Sequence, residues 1–381
     1  MRKQIYLDNA ATTKVDEKVV KVMSPYFSEK YGNASSQHSF GQESKNALEK
    51  SRKIIAKSIN AKPREIIFTS GGTEGNNFVL KGLFFSNPKK NHIITTKIEH
   101  DCILKTCEWL ETKGAKVTYL NVNPEGFIDL NELKNSINER TLLVSIIHGN
   151  NEIGVIQDLE KIGKICKEKK VLFHIDACQS YTKVPINVGK QNLDFVTMNS
   201  HKIHGPKGVG AVYIREGIKI TPLFHGGGHE EGLRSGTENI SGIVGFAEAV
   251  KISNSKDVKQ MQKLRDYFIE ELLKIENVKL NGSRNNRLCN NINISFMNIE
   301  GESIGGYLEN EGIYTSTGSA CMSHSLKTSH VLKALGLPPL QSNSSLRITL
   351  SKYTTKKDVD YALDKIKKIV TKLRRISPLV N

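Results

Sequence analysis

The fold of this chain is constrained most by a repeated alternation of short apolar segments with helical ones. Continuous apolar strands that alternate with helices predict a mainly parallel sheet covered by helices on both faces. The predicted strands of this α/β region are 66–69, 92–96, 116–120, 142–147 and 171–175.

The pattern changes near residue 255. A strand at 291–296, a helix from residue 302, a strand at 346–350 and a closing helix from residue 356 follow in mixed order. This order predicts a smaller α+β domain at the C-terminal end. A length of 381 residues also favours two domains over a single core.

Charge and composition limit the classes of partner. The formal net charge is +16, but the lysines are spread in short groups such as 167–170 and 365–368. We interpret most of this charge as solvated helix faces, so nucleic acid is not expected as a partner. The N-terminus lacks the apolar core of a signal peptide, and no apolar run is long enough to span a bilayer. We therefore expect no membrane association and a cytoplasmic location.

Polar motifs follow the predicted strands, and such sheets bind ligands at the carboxyl ends of their strands. The turn at 70–73 offers free backbone N–H groups and the Thr73 hydroxyl to a phosphate group, although many turns look similar. Asp176 ends the strand at 171–175, where a carboxylate either caps a helix or pairs with a cationic ring nitrogen. Gln179 lies one helical turn further and is within reach of the same ligand.

Lys202 lies between His201 and His204, after the apolar run 193–197 and before a Gly-Pro-Lys-Gly turn. A lysine among partly desolvated neighbours at the end of a strand can lose its proton and form a Schiff base. The alternative is that Lys202 is simply one of 55 basic residues that keep the chain soluble.

Two further residues have both a functional and an ordinary interpretation. His100 follows the strand at 92–96, where an imidazole can stack on an aromatic ligand and move protons, or can be a hydrogen-bonded interior histidine. Arg347 interrupts the apolar run 345–350. It is either held there to pair with a carboxylate or is a surface arginine on an alternating strand.

The six cysteines include no Cys-x-x-Cys pair and no histidines at zinc-finger spacing, so neither a disulfide framework nor a resident metal site is expected. Cys321 differs from the others because glycine, serine and alanine surround it at 315–325. Such a thiol is accessible and suited to a nucleophile that must move, although loop cysteines without a role also exist.

Taken in order, these motifs resemble one family closely. The chain resembles a cysteine desulfurase of the NifS/IscS type, in the class V aminotransferase branch of pyridoxal-phosphate (PLP) enzymes. The resemblance covers nearly the whole chain. The motifs that carry it are 6–13, 69–74, 148–154, 174–180, 201–208, 226–230, 234–237 and 316–321.

The resemblance implies the fold type I of PLP-dependent transferases. It divides the chain into an N-terminal segment at 1–15 that packs with the small domain, a large PLP-binding domain at 16–255, and a small C-terminal domain at 256–381 that carries the Cys321 loop.

The resemblance also assigns roles. Lys202 would hold PLP as a Schiff base, Asp176 would keep the pyridine nitrogen protonated, and His100 would stack on the ring. Arg347, Asn33 and Asn151 would bind the substrate. The remaining implied cofactor contacts are Gly72, Thr73, Asn151, Gln179, Asn199, His201 and, from the second subunit of a homodimer, Thr237. Asn199 departs from the family pattern, which usually has serine there, so we expect rearranged phosphate contacts.

The implied reaction converts L-cysteine to L-alanine and leaves the sulfur on Cys321 as a persulfide. The sulfur would pass to an iron–sulfur scaffold or another acceptor protein, for cluster assembly and for tRNA thiolation, with Cys321 as a transient cluster ligand. One alternative is a selenocysteine lyase or another PLP lyase or transaminase. Another is a scaffold without catalysis that binds nucleic acid or an iron–sulfur cluster.

Overall fold

The computed structural model describes residues 4–317 and 328–377. Its strands are β1 (Ile5–Tyr6), β2 (Ile66–Thr69), β3 (His92–Thr96), β4 (Lys116–Leu120), β5 (Thr141–Ile147), β6 (Leu172–Asp176), β7 (Phe195–Asn199), β8 (Gly210–Ile214), β9 (Val278–Leu280), β10 (Asn291–Phe296), β11 (Ile313–Tyr314) and β12 (Ser345–Thr349). Its α-helices are α1 (Glu17–Met23), α2 (Pro25–Ser28), α3 (Ser39–Ser58), α4 (Gly72–Ser86), α5 (Asp101–Glu111), α6 (Leu130–Ser136), α7 (Leu159–Glu168), α8 (Ile240–Ile252), α9 (Ser255–Leu273), α10 (Gly301–Asn310), α11 (His330–Ala334), α12 (Pro339–Asn343) and α13 (Lys356–Ile376).

The central sheet has seven strands in the order β2-β8-β7-β6-β5-β3-β4. The neighbours from β7 to β4 pair in parallel, whereas β8 runs antiparallel to both β7 and β2. The expected mainly parallel sheet is therefore present. It contains the five predicted strands, β7 where the apolar run 193–197 precedes Lys202, and β8, which the sequence did not indicate. The short 200–209 loop joins β7 to β8 without a crossover helix, and such a connection can only reverse the chain direction.

Apolar side chains project from both faces of this sheet, because successive side chains along a strand point to opposite faces. Val144 faces a core formed with α3, α7 and α8, to which Ile55, Ile162 and Phe246 contribute. Leu143, the preceding residue, faces a second core with α4 and α5. Because a core covers each face of the sheet, these strands are apolar throughout rather than at every second position.

The helices begin where their sequences provide caps. Asp158 caps α7 by accepting a hydrogen bond from the backbone N–H of Lys161. Thr355 and Asp358 form a reciprocal capping box at the start of α13, which lies close to the predicted start at residue 356.

A second sheet, in the order β12-β10-β9, is antiparallel and shares a core with α9, α10 and α13. The N-terminal segment packs against it: β1 and β11 form a separate two-stranded parallel sheet in which Ile5 pairs with Ile313, and Ile5 and Leu7 enter the same core. The division of the chain at 1–15, 16–255 and 256–381 remains our proposal. Among the described residues, no helix combines the length and apolar character needed to cross a bilayer.

Candidate active site

A cavity of about 300 Å³ opens at the carboxyl ends of β5, β6 and β7, where α4 and α5 begin. It is the meeting point of most of the side chains predicted from the sequence. Those that line it are Gly72, Thr73, His100, Asn151, Asp176, Gln179, Asn199, His201, Lys202 and Arg347.

Lys202 lies on the loop that joins β7 to β8. Thr13 holds this loop in place, because both its backbone N–H and its hydroxyl donate to the His201 carbonyl, at 2.9 and 2.8 Å. The same hydroxyl accepts from the His204 N–H at 2.9 Å. The N-terminal segment therefore fixes the loop on which the candidate Schiff-base lysine stands.

Asp176 ends β6 and is 4% exposed. Its Oδ2 accepts from the Asn76 side chain at 2.7 Å, and its Oδ1 accepts from the Cys178 N–H at 2.9 Å. These two donors fix the orientation of the carboxylate at the cavity, where it could pair with a protonated ring nitrogen.

His100 caps α5, and its Nδ1 accepts from the Cys102 N–H at 3.2 Å. The neutral ring therefore carries its proton on Nε2. Burial, followed by the charge of Lys202, lowers the pKa of His100 below its usual value. The imidazole is consequently a neutral, flat group at the cavity, able to stack on a ring and to exchange a proton.

The first residue of α4, Gly72, has no room for a side chain. A Cβ added at Gly72 would come within 2.5 Å of the Cys178 Sγ, so only glycine fits without displacement. α4 begins at this residue, and the N–H groups of a helical first turn have no partner within the helix. They are available to a phosphate group together with the hydroxyl of Thr73.

Asn199 ends β7 beside this turn and is 2% exposed. Its Oδ1 has no hydrogen-bond partner within the described residues. A buried acceptor of this kind is normally paired, so a donor from a ligand would satisfy it, while the Nδ2 of the same amide could donate to a phosphate. The Gly72 turn, the Asp176 carboxylate, the Lys202 amine and the Asn199 amide together fit the phosphate, ring nitrogen and aldehyde of PLP.

Arg347 on β12 brings the second sheet to the cavity, and it is 3% exposed. Its Nη2 donates to Asp8 Oδ1 at 2.8 Å, and its Nη1 donates to the Asn151 carbonyl at 3.3 Å. Gln179 is anchored in turn, since its Nε2 donates to the Ala10 carbonyl at 2.9 Å. The guanidinium is thus held at the cavity, where it can bind a carboxylate.

Two predicted residues do not reach this cavity. Asn33 is exposed, and its Oδ1 accepts from the Ser35 N–H at 2.9 Å. Thr237 lines a separate cavity with Glu230 and Arg234. The roles assigned to both residues remain predictions, and that of Thr237 belongs to a second subunit.

Cys321 lies outside the described residues. The described chain on either side of it does reach the cavity: Ser316 exchanges two backbone hydrogen bonds with Arg347, and His330 is a lining residue. The other five cysteines are free thiols, and among the described residues no group of three or more His, Cys, Asp or Glu side chains could hold a metal ion.

Several residues that build the site were missing from the sequence-based assignment. Asn76 and Asp8, which hold Asp176 and Arg347, are examples. Glu99 and Glu152 are buried acids at the same edge. Burial raises the pKa of Glu99 to about 8 and also raises that of Glu152. Glu99 directly precedes His100, and this adjacency was the available signal in the sequence.

The comparisons with known proteins agree with this geometry. The family described as Aminotransferase class-V matches the chain over residues 5–362, so the chain belongs to the class V aminotransferase family, whose members are PLP-dependent. Cysteine desulfurase IscS of Dictyoglomus turgidum is 49% identical over 383 residues, which is 99% of this chain and 97% of the relative. Cysteine desulfurase IscS of Methanosarcina thermophila is 48% identical over 99% of this chain and 94% of the relative.

Solved structures extend the similarity to the fold. A NifS-like protein superposes with a TM-score of 0.92 and 41% identity, over 97% of this chain and all of the other. A structure described as SspA in complex with cysteine gives a TM-score of 0.84 and 36% identity, over 93% of this chain and 100% of the other. The predicted family and the predicted fold type I are confirmed.

Proposed function

We propose that this chain is a PLP-dependent cysteine desulfurase, which converts L-cysteine to L-alanine and transfers the sulfur to Cys321. One observation carries the proposal: a single cavity combines Lys202, Asp176, His100 and Arg347. Full-length relatives named cysteine desulfurase support the choice of reaction, and a similar structure described with cysteine supports the choice of substrate.

The role of each residue follows from its position in the cavity. The turn at Gly72 and Thr73, with Asn199 and His201, would hold the cofactor phosphate, while Asp176 would pair with the ring nitrogen. Bound PLP supplies an electron sink for the electron pair released when the substrate α-carbon loses its proton. Lys202 would hold the cofactor before the substrate binds and then move that proton.

Arg347 would bind the substrate carboxylate and fix its orientation, in exchange for part of its contact with Asp8. His100, neutral at the cavity, would stack on the ring and exchange a proton with the substrate. The Cys321 thiolate would attack the substrate sulfur. The carbon–sulfur bond of the substrate breaks, a sulfur–sulfur bond forms, and the products are alanine and a persulfide.

The setting of the reaction is part of the same proposal. We propose a cytoplasmic homodimer in which Thr237 of one subunit reaches the cofactor phosphate of the other. The persulfide sulfur would pass to an iron–sulfur scaffold or another acceptor protein. The relatives named cysteine desulfurase IscS support the release of sulfur from cysteine, on which this setting depends.

The test is the formation of alanine from L-cysteine under reducing conditions, by wild type and by Cys321→Ala. We expect the wild type to form alanine and sulfide, and the variant to keep its PLP absorbance but to lose at least about a hundredfold in rate, because the sulfur has no acceptor. Cys166→Ala is the control, since Cys166 is buried in α7. A PLP-containing wild type that forms no alanine contradicts the proposal, and selenocysteine is then the next substrate to measure.

A further inference from the structure

Lys183 is a second lysine near the cavity, and the proposed reaction gives it no role. It follows Gln179 in the turn after β6. Its side chain is partly exposed as a whole, but its amine lies deep enough for burial to lower its pKa to about 8. The nearby charge of Lys202 lowers this pKa further, whereas the thiols of Cys289 and Cys178 act in the opposite direction. Burying an ammonium group costs free energy, and hydrogen bonds to the group must offset that cost.

The two hydrogen bonds of Lys183 connect the two halves of the site. Its Nζ donates to the main-chain carbonyl of Gln179 at 2.9 Å and to that of Lys202 at 3.2 Å. Gln179 and Lys202 both line the cavity. Gln179 belongs to the turn after β6 and Lys202 to the loop after β7, so one amine joins the loops that leave two neighbouring strands.

The backbone before Lys183 is strained. Thr182 has a φ of 62°, a left-handed conformation that β-branched residues rarely adopt. Such conformations are energetically unfavourable and persist where the surrounding structure requires them. The preceding residue is fixed as well, because the Tyr181 hydroxyl bonds to Ser58 Oγ at 2.6 Å. The backbone is thus held in an unfavourable conformation at Thr182, the residue before Lys183.

We propose that Lys183 is a positioning residue of the cofactor site, which sets the Lys202 loop against the Gln179 turn through these two carbonyls. The inference rests on the proposed function, because it requires PLP to bind at Lys202. Without the Lys183 donors the two carbonyls lose their shared partner. The loop then holds Lys202 less firmly relative to Asp176 and Gln179, and the site binds PLP less tightly.

The test compares Lys183→Met with Lys183→Arg in the full-length protein. The readouts are the affinity for PLP, followed by absorbance, and the Tm of the cofactor-free protein. We expect Lys183→Met to weaken PLP binding about tenfold to a hundredfold, which corresponds to the loss of one or two hydrogen bonds. Lys183→Arg keeps the charge and the donors and should recover most of the affinity. Lys352→Met is the matched control, because Lys352 lines a separate cavity together with Lys183 and Lys202, but its amine pairs with Asp16.

The results of this test distinguish a positioning role of Lys183 from a merely structural one. Wild-type affinity for PLP in Lys183→Met overturns the inference. A loss of affinity that merely accompanies a lower Tm of the cofactor-free protein, without recovery in Lys183→Arg, makes the residue structural and also overturns it. If Lys183→Met does not fold, Lys183→Gln keeps one donor group and should weaken binding by a smaller factor. A wild type that binds no PLP contradicts the proposed function instead.

Discussion

At the scale of single residues, Glu99 shows how burial changes the chemistry of a side chain next to the site. It is fully enclosed, and its Oε1 accepts from the Thr96 hydroxyl at 2.7 Å and from the Ile147 N–H at 2.8 Å. Despite these two donors, burial raises its pKa to about 8 from the ordinary value of 4.5. The side chain is therefore mostly a neutral acid at pH 7.

This pKa predicts a pH dependence of stability. Between pH 4.5 and 8 the folded protein keeps the Glu99 proton while the unfolded chain releases it, so the free energy of unfolding falls as the pH rises. The fall from this group is at most about 1.4 kcal/mol per pH unit. Glu99→Gln cannot ionise and should remove that part of the slope.

Chemical denaturation at pH 5 and pH 8 measures the difference. Glu160→Gln, on the exposed side of α7, is the control and should keep the wild-type slope. Equal slopes in Glu99→Gln and the control would show that Glu99 is ionised in the folded protein at neutral pH.

Several residues of the site could be predicted from the sequence alone. Lys202, Asp176 and His100 each follow a recognisable strand, and the ends of parallel strands meet at one edge. Asn76 and Asp8 escaped prediction because their partners lie 100 and 339 positions away along the chain. No local pattern marks a residue whose partners are distant in sequence.

At the scale of elements, one buried ion pair holds α3, the edge strand β2 and the segment 226–237 together. Arg52 on α3 donates to the two carboxylate oxygens of Glu230 at 2.7 and 2.8 Å. Glu230 also accepts from the Phe68 N–H on β2 at 2.7 Å. The segment that carries Thr237 is therefore anchored on the edge strand of the central sheet.

This arrangement predicts a large difference between two acidic partners of Arg52. Glu230→Gln leaves a buried guanidinium without its countercharge and should lower the free energy of unfolding by about 3–5 kcal/mol. Glu49→Gln removes a partner on the surface and should cost about 1 kcal/mol or less. Chemical denaturation of the two variants measures both values, and similar losses would contradict the assignment of Glu230 as the anchor.

Secondary structure was largely predictable because the strands of the central sheet are continuous apolar runs. The strand β8 was missed, although Gly210–Ile214 is apolar, since it follows the Lys202 loop without an intervening helix. The short strands β1 and β11 have two residues each, too few for any periodicity to indicate them. They form because they pair with each other.

At the scale of the whole molecule, the N-terminal segment completes the core of the second sheet and reaches the active site. Leu7 is fully buried in that core, whereas the adjacent Tyr6 is 43% exposed. Asp8 then binds Arg347, and Thr13 holds the Lys202 loop. A few residues from the start of the chain thus contact both sheets.

Leu7→Ala tests how much the molecule depends on this segment. A buried leucine truncated to alanine costs about 2–5 kcal/mol, so the free energy of unfolding should fall by that amount. Tyr6→Ala, next to it on the other side of the strand, should cost clearly less. A loss in Leu7→Ala no larger than in Tyr6→Ala, measured by denaturant unfolding, would mean that the segment is not part of the core.

The same segment orders events during synthesis on the ribosome. Residues 5–9 are translated long before their partners Ile313 and Thr349, which lie far along the chain. The central sheet can assemble from segments that are close in sequence while β1 is still unpaired. The core of the second sheet closes only after the segment that carries β11 and β12 has been made, and the Arg347 side of the active site is built at that step.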